Sequence, residues 1–195
     1  MAFLSQVNGV DPKSLGLLQR IFLVNDGTLT DTVEAAVLEP IRLTKLSGAI
    51  SPAAAPAAAL DLEAGETVMD RAILLSGETT GRNYVYAQSQ LALDRLPAGF
   101  RRELLDSNKP MGRLWSEYRL ETWKELLSVT RGPAPGLAAH FPGGEHEDML
   151  RRQYRVVSGG RPLMIITEWF PARYRSDPAP SHCESPQITD RTDKT

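Results

Sequence analysis

Cysteine is nearly missing from this 195-residue chain: Cys183 is the single one, so no disulfide closes within the chain and no multi-cysteine zinc site exists. An excess of charge of either sign is also missing. Twenty-two Lys and Arg against 24 Asp and Glu leave a formal charge of −2, which excludes the dominant basic surface of a general nucleic-acid binder. No apolar run approaches the roughly 18 residues needed to span a bilayer. The start, Met1 to Gln6, has no basic segment followed by an apolar one, so no secretory signal is expected. The phosphate loop Gly-x-x-x-x-Gly-Lys-Ser/Thr, the dinucleotide fingerprint Gly-x-Gly-x-x-Gly and the nucleophile elbow Gly-x-Ser-x-Gly are absent. His146 sits in an acidic loop, Glu145-His146-Glu147-Asp148, rather than on rigid elements at ligand spacing, so no metal site is expected. Cys183 lies in a Pro-rich tail and makes a poor nucleophile candidate. A cytoplasmic protein without metal, cofactor, nucleic acid or membrane partner is expected.

What is present is ordinary for one globular domain: 42% hydrophobic and 24% charged residues, on a length that buries a core unaided. Three stretches read as loop or tail: Gly48 to Gly65, with its Ser51–Ala59 Ala/Pro-rich segment, Arg131 to Asp148, and the tail from Ala172. The domain is therefore set at 1–171 and a disordered tail at 172–195. A helix opens at Asp11-Pro12 with Leu15, Leu18 and Phe22 on one face and stops near Asp26-Gly27; a second runs from Thr30 to Ala36. Strands are predicted at Ile41–Leu46, Thr67–Leu75, Tyr84–Leu93, Gln153–Val157 and Leu163–Phe170, and a helix at Ala98–Ser107. Leu114 to Leu127 fits strand and helix equally by period. Ser158-Gly159-Gly160-Arg161-Pro162 is a hairpin signal. Sequential hairpins with few helices imply α+β, an antiparallel sheet with helices packed on it.

Strand parity singles out two charged residues. Glu168 shares a face with Met164, Ile166 and Phe170, while Leu163, Ile165, Thr167 and Trp169 occupy the other. Both faces are apolar, so the strand is central and its carboxylate is buried or half-buried. A buried carboxylate needs a partner or a function, because desolvating the charge costs several kcal/mol. Arg71 stands among Met69, Ile73 and Leu75 by the same rule. Three arrangements satisfy the pattern: the two residues pair with each other, each reaches water at a strand end, or they flank a cavity that recognises a small anion through the guanidinium fork.

The ordered motifs carry a resemblance. Asn25-Asp26-Gly27-Thr28-Leu29-Thr30 comes first, then Asp70-Arg71 opening a strand. Ala87-Gln88-Ser89 and Leu93-Asp94-Arg95-Leu96-Pro97 follow. Next are Pro110-Met111-Gly112-Arg113-Leu114, Glu121-Thr122-Trp123-Lys124-Glu125, and Tyr154 to Pro162 running into Thr167-Glu168. This set resembles the chorismate lyases, in their actinobacterial and cyanobacterial branch, over roughly Leu15 to Pro171. The resemblance implies six antiparallel strands enclosing an internal ligand cavity under flap-like segments. It implies a cofactor-independent elimination of pyruvate from chorismate to give 4-hydroxybenzoate, for quinone or phenolic biosynthesis, by a monomer or homodimer. Arg71 matches the arginine that grips the ring carboxylate, and Glu168 the acid facing the hydroxyl end. Leu29 and Leu114 match residues whose backbone contacts the ligand. A second cation is expected for the enolpyruvyl carboxylate; Arg155, Arg113 and Lys109 are candidates the sequence does not rank, and Arg155 is counted among the substrate-binding residues.

Two alternatives remain at this stage. One is another product from chorismate, such as 3-hydroxybenzoate. The other is a non-catalytic aromatic-acid sensor, since the fold is similar to the sensing domains of some bacterial repressors. The few residues before Asp11 are expected to leave no room for the DNA-binding module of those repressors.

Overall fold

The computed structural model describes residues 10–53, 58–107 and 109–174. Four helices, α1 (Leu17–Val24), α2 (Leu29–Val37), α3 (Ala98–Asp106) and α4 (Met111–Glu117), accompany six strands. The strands are β1 (Ile41–Pro52), β2 (Thr67–Gly77), β3 (Asn83–Ala92), β4 (Trp123–Gly132), β5 (Met149–Ser158) and β6 (Arg161–Pro171). They form one sheet in the order β1-β2-β3-β6-β5-β4, antiparallel at every neighbouring pair. Neighbours in sequence pair by hairpins. The long-range union of β3 with β6 joins two three-stranded meanders and puts their inner strands at the centre.

Register assigns the two faces. Arg71 lies opposite Ser89, Ser89 opposite Ile166, and Ile166 opposite Tyr154. Ala87 lies opposite Glu168, and Glu168 opposite Arg152. Since side chains two apart on a strand share a face, Arg71 and Glu168 point to the same side, the side the helices cover. Phe22 of α1 meets Phe170 edge-on at 5.3 Å, and Phe100 and Leu104 of α3 with Leu114 of α4 pack over Leu91, Met164 and Val156. Among the described residues the opposite face is covered only at its ends, by Leu60 against Val68 and Ala92 and by Phe141 against Leu74, Tyr86 and Met149.

The first helix is broken where one had been expected. Pro12–Ser14 forms a separate turn, capped by the Asp11 carboxylate, which accepts from the Lys13 N–H at 2.9 Å. Leu15 and Gly16 are extended before α1 begins. Gly48 to Pro52, read as loop, instead continues β1 against Thr67–Arg71, and Ala58–Leu60 is a helical turn. Residues 54–57 of the Ala/Pro-rich segment lie outside the described residues. The ambiguous stretch divides into α4 and β4. The expected tail begins too early: Ala172 and Tyr174 are buried, and the Tyr174 hydroxyl donates to the Tyr84 carbonyl at 3.0 Å. From residue 175 on, the tail lies outside the described residues. No described helix is long and apolar enough to cross a membrane.

Candidate active site

Arg71 is 3% exposed, and its Nε and Nη2 are buried without a hydrogen-bond partner. A guanidinium carries five donors in a fixed fork, and leaving them unpaired in the interior costs about 1–3 kcal/mol per group. Burial alone pushes its pKa below the ordinary arginine value. Lys45 lies on the same face, and its pKa is likewise lowered, first by burial and then by Arg71. Lys45 donates to the Leu104 and Leu105 carbonyls near the end of α3, at 3.4 and 3.5 Å. Arg71 is thus a desolvated fork with the geometry for a carboxylate and, among the described residues, no carboxylate within bonding reach.

Glu168 is occupied elsewhere. Its Oε2 accepts from Arg152 Nε at 3.0 Å and Nη2 at 2.5 Å, and its Oε1 accepts from the Tyr154 hydroxyl at 2.7 Å. Arg152 Nη1 donates onward to the carbonyls of Phe22, Leu23 and Asn25, tying β5 to the end of α1. All three side chains of this network are buried. Burial and the Glu168 charge hold the Tyr154 phenol well above its usual range, so it stays a donor. Glu168 retains lone-pair capacity and is fixed in direction. Of the arrangements the sequence left open, pairing of Arg71 with Glu168 is not the one formed, and both side chains are buried.

A small cavity of about 70 Å³ lies beside Glu168, between the sheet and the helices. Tyr154, Ile166 and Glu168 form its floor. Gly27 to Thr30 at the start of α2 and Met111, Gly112 and Trp115 of α4 form its roof. Arg71 is not among the lining residues. It stands two strands from Glu168, a Cα separation of roughly 12 Å from sheet spacings, with Ser89 and the cavity-lining Ile166 in the row beside it. Arg71 also borders a shallow concavity of about 400 Å³ toward the other face, yet its unpaired nitrogens have no contact with solvent there. A void that binds benzene measures about 150 Å³, so an aromatic acid enters this site only when the roof moves.

The roof is held at three points. Thr28 seats against Gly112 so closely that a Cβ there would stand 2.6 Å from the Thr28 methyl. Lys124 of β4 donates to the Gly27 carbonyl at 2.7 Å, and Arg113 reaches Glu34 at 3.4 Å. Lys124 lies 5.2 Å above the Tyr154 ring centroid and 6.0 Å from that of Trp115. The Trp115 Nε1–H is buried and unpartnered.

The expected binding residues separate. Leu29 lines the cavity. Leu114 does not: it is fully buried among Phe100, Leu104 and Leu91, while Met111 and Gly112, one helical turn earlier, face the void. Arg155 corrects the sequence reading most sharply. It lies opposite Ile165, on the other face of the sheet, and spends its charge on Glu125 at 2.5 Å. Arg113 and Lys109 are half-exposed, Arg113 against Glu34 and Lys109 against Glu103 and Glu117. The cations that do reach the site, Lys124 and Arg152, were not singled out. Parity along β5 marks Arg152, which alternates with the buried Leu150, Tyr154 and Val156.

Six antiparallel strands with helices on one face, a buried polar cluster beneath them and a small cavity beside it define an α+β domain. The same architecture occurs in PhnF from Mycobacterium smegmatis, with a TM-score of 0.56 at 14% identity over 76% of this chain and 65% of that one. It recurs in a GntR-family transcriptional regulator from Bacillus cereus, with a TM-score of 0.52 at 12% identity over 71% and 97%. The sequence narrows the class: residues 23–176 match the family model described as chorismate pyruvate-lyase Rv2949c-like, and the chain belongs to that family. A chorismate pyruvate-lyase of Mycobacterium leprae is 30% identical over 153 residues, 77% of this chain and 72% of its own. One of Mycobacterium tuberculosis is 39% identical over 104 residues, 53% and 52% of the two chains, so this chain matches about half the length of that relative.

Proposed function

We propose that the protein eliminates pyruvate from chorismate and forms 4-hydroxybenzoate. The observation that carries this reading is Arg71: a buried guanidinium with two unpaired nitrogens, on the same face as a carboxylate that is already neutralised by Arg152. A ligand for this site brings its own carboxylate to Arg71 and a hydrogen-bond donor to Glu168, with a flat apolar body between them. Chorismate has that outline, with a ring carboxylate at one end and the C4 hydroxyl at the other. Family membership supports the same reading.

The chemistry asks for little beyond placement. The C3–O bond breaks and its electron pair leaves on the enolpyruvyl oxygen. C4 gives up its proton, and the C4–H pair completes the aromatic ring. The released enolate becomes pyruvate by taking a proton at its methylene carbon, which balances the proton lost from C4. Aromatisation drives the step, so the protein's work is to hold one conformer and to balance charge on the departing oxygen. Arg71 fixes the ring carboxylate. Glu168 accepts from the C4 hydroxyl, and its doubly held Oε2 makes it a positioning acceptor before a base. The start of α2, around Leu29, and Met111-Gly112 close over the ring.

The test is purified protein with chorismate, pyruvate followed enzymatically and the aromatic product identified by chromatography. Equal amounts of pyruvate and 4-hydroxybenzoate are expected. The 3-isomer would redirect the regiochemistry. Binding of aromatic acids without pyruvate release would favour a sensor, the reading to which the GntR-type fold likeness lends support.

A further inference from the structure

If chorismate sits with its C4 hydroxyl on Glu168, the ether at C3 is one ring atom away, and the enolpyruvyl group must be received at the same end of the site. That group brings a second carboxylate and, as the bond breaks, a second developing charge. Two cations line the voids there, Arg152 and Lys124. Arg152 is already bonded through all three of its nitrogens, to Glu168 and to three backbone carbonyls. Among the described residues Lys124 makes one hydrogen bond, to the Gly27 carbonyl, which leaves two of its three N–H donors without a partner there.

Lys124 also stands at a boundary. It lines the inner cavity beside Glu168 and a second, outer pocket of about 270 Å³ bordered by Leu23, Asn25, Asp26 and Leu126. Tyr154 and Lys124 are shared by both. Asp26, the carboxylate that borders the outer pocket, is exposed at its rim. Across the inner cavity Trp115 carries a buried Nε1–H with no acceptor. A void with an under-used ammonium, an unpaired indole donor and an adjoining pocket large enough for a three-carbon acid is built for a small anionic fragment beside the ring.

We propose that Lys124 is the receptor of the enolpyruvyl group: its ammonium binds the side-chain carboxylate in the bound substrate and hydrogen-bonds the departing enolate oxygen, with Trp115 as second donor, and pyruvate leaves through the outer pocket. Lys124 keeps its proton throughout. It releases Gly27 as it turns to the substrate, so occupancy of the subsite and loosening of the α1–α2 loop are one event. This assignment rests on the chorismate reading and adds to it the residue that distinguishes substrate from aromatic product.

That distinction is the experiment. 4-Hydroxybenzoate lacks the enolpyruvyl carboxylate, so Lys124→Met should raise KM for chorismate at least tenfold and lower kcat by about a hundredfold, while the Kd of 4-hydroxybenzoate by calorimetry stays within twofold of wild type. Lys124→Arg, which keeps the charge, should recover at least a tenth of the lost kcat/KM. Arg71→Ala, by contrast, should weaken both ligands. Equal losses of chorismate and 4-hydroxybenzoate affinity in Lys124→Met, with a lowered Tm, would make Lys124 a mere strut for the Gly27 loop and overturn the assignment. Wild-type kcat/KM in Lys124→Met would overturn it as well. Failure of the wild-type protein to release pyruvate is a separate result: it removes the chorismate reading itself.

Discussion

Glu168 is paired with Arg152, its cross-strand partner on β5, through two hydrogen bonds at 2.5 and 3.0 Å, and this pairing leaves Arg71 alone on the same face of the sheet. The two arginines therefore have opposite energetics. Arg152 is compensated and anchors α1 to the sheet. Arg71 has two buried nitrogens with no hydrogen-bond partner among the described residues, and under the proposed function the ring carboxylate of the substrate would supply it.

Replacing Arg71 by methionine separates these roles. The variant keeps the apolar stem and removes the unpaired donors, so the ligand-free protein should gain about 1–3 kcal/mol, a Tm rise of several degrees. Affinity for both chorismate and 4-hydroxybenzoate should fall by at least a hundredfold, the worth of a charge-assisted bidentate contact. Thermal unfolding with calorimetry checks both. A lowered Tm would mean that Arg71 is a structural residue with partners of its own.

Glu168→Gln should do the reverse to stability. An amide cannot neutralise Arg152, and breaking one side of a buried ion pair costs about 3–5 kcal/mol. Arg152→Met alone should cost a similar amount, and the double variant should recover part of it, giving a coupling energy above about 1 kcal/mol in a double-mutant cycle. If Glu168 acts by positioning, turnover in Glu168→Gln falls less than about a hundredfold; a loss of three or more orders of magnitude would establish it as the general base for the C4 proton.

The close seat of Thr28 on Gly112 makes a third test. A Cβ at position 112 would stand 2.6 Å from the Thr28 methyl and 2.7 Å from its hydroxyl, both on a β-branched side chain with little freedom to yield. Gly112→Ala should therefore push α4 away from the start of α2, destabilise by about 1–3 kcal/mol and lower affinity for 4-hydroxybenzoate. Thr28→Gly in the same chain should restore binding. Failure of that rescue would show that the two helices do not close the site as a unit.

How much of this was legible in the sequence follows from how each side chain is held. Arg71 and Glu168 could be found because β2 and β6 are inner strands whose alternation is framed by apolar residues on both faces, so a charge stands out by parity alone. Arg152 escaped because β5 begins at Met149, four residues before the strand pattern becomes visible, and its neighbour Arg151 disguises a buried charge as a solvated basic pair. Lys124 escaped because Leu114 to Leu127 contains the end of a seven-residue helix, a turn and the start of an edge strand. Helices that short owe their existence to packing, here of Leu114 into the α3 layer, and leave no period to read. Arg155, like Arg113 and Lys109, is a candidate by its charge alone, and one residue of parity sends it to the opposite face.

Lys124 also gives the site a pH signature in which activity and stability move in opposite directions. Burial depresses its pKa to about 8, Arg152 adds to that effect, and the charges of Glu168 and Asp26 oppose it. Tyr154, the other titratable group against it, stays protonated through this range because burial and Glu168 raise its pKa well above normal. If the ammonium receives the enolpyruvyl group, kcat/KM for chorismate should fall as pH rises through about 8. Stability should do the opposite. The folded pKa lies below the unfolded value of about 10.4, so over that interval the unfolded chain binds more protons. The penalty for burying the charge is present in full below pH 8 and fades as the group neutralises. Lys124→Met should flatten both profiles by removing the charge, and Lys124→Arg, charged throughout this range in the folded and the unfolded chain alike, should flatten both while keeping activity above pH 8. Measuring kcat/KM and Tm from pH 6 to 10 on the three proteins decides the point: an unchanged activity limb in Lys124→Arg would place the titrating group elsewhere in the site.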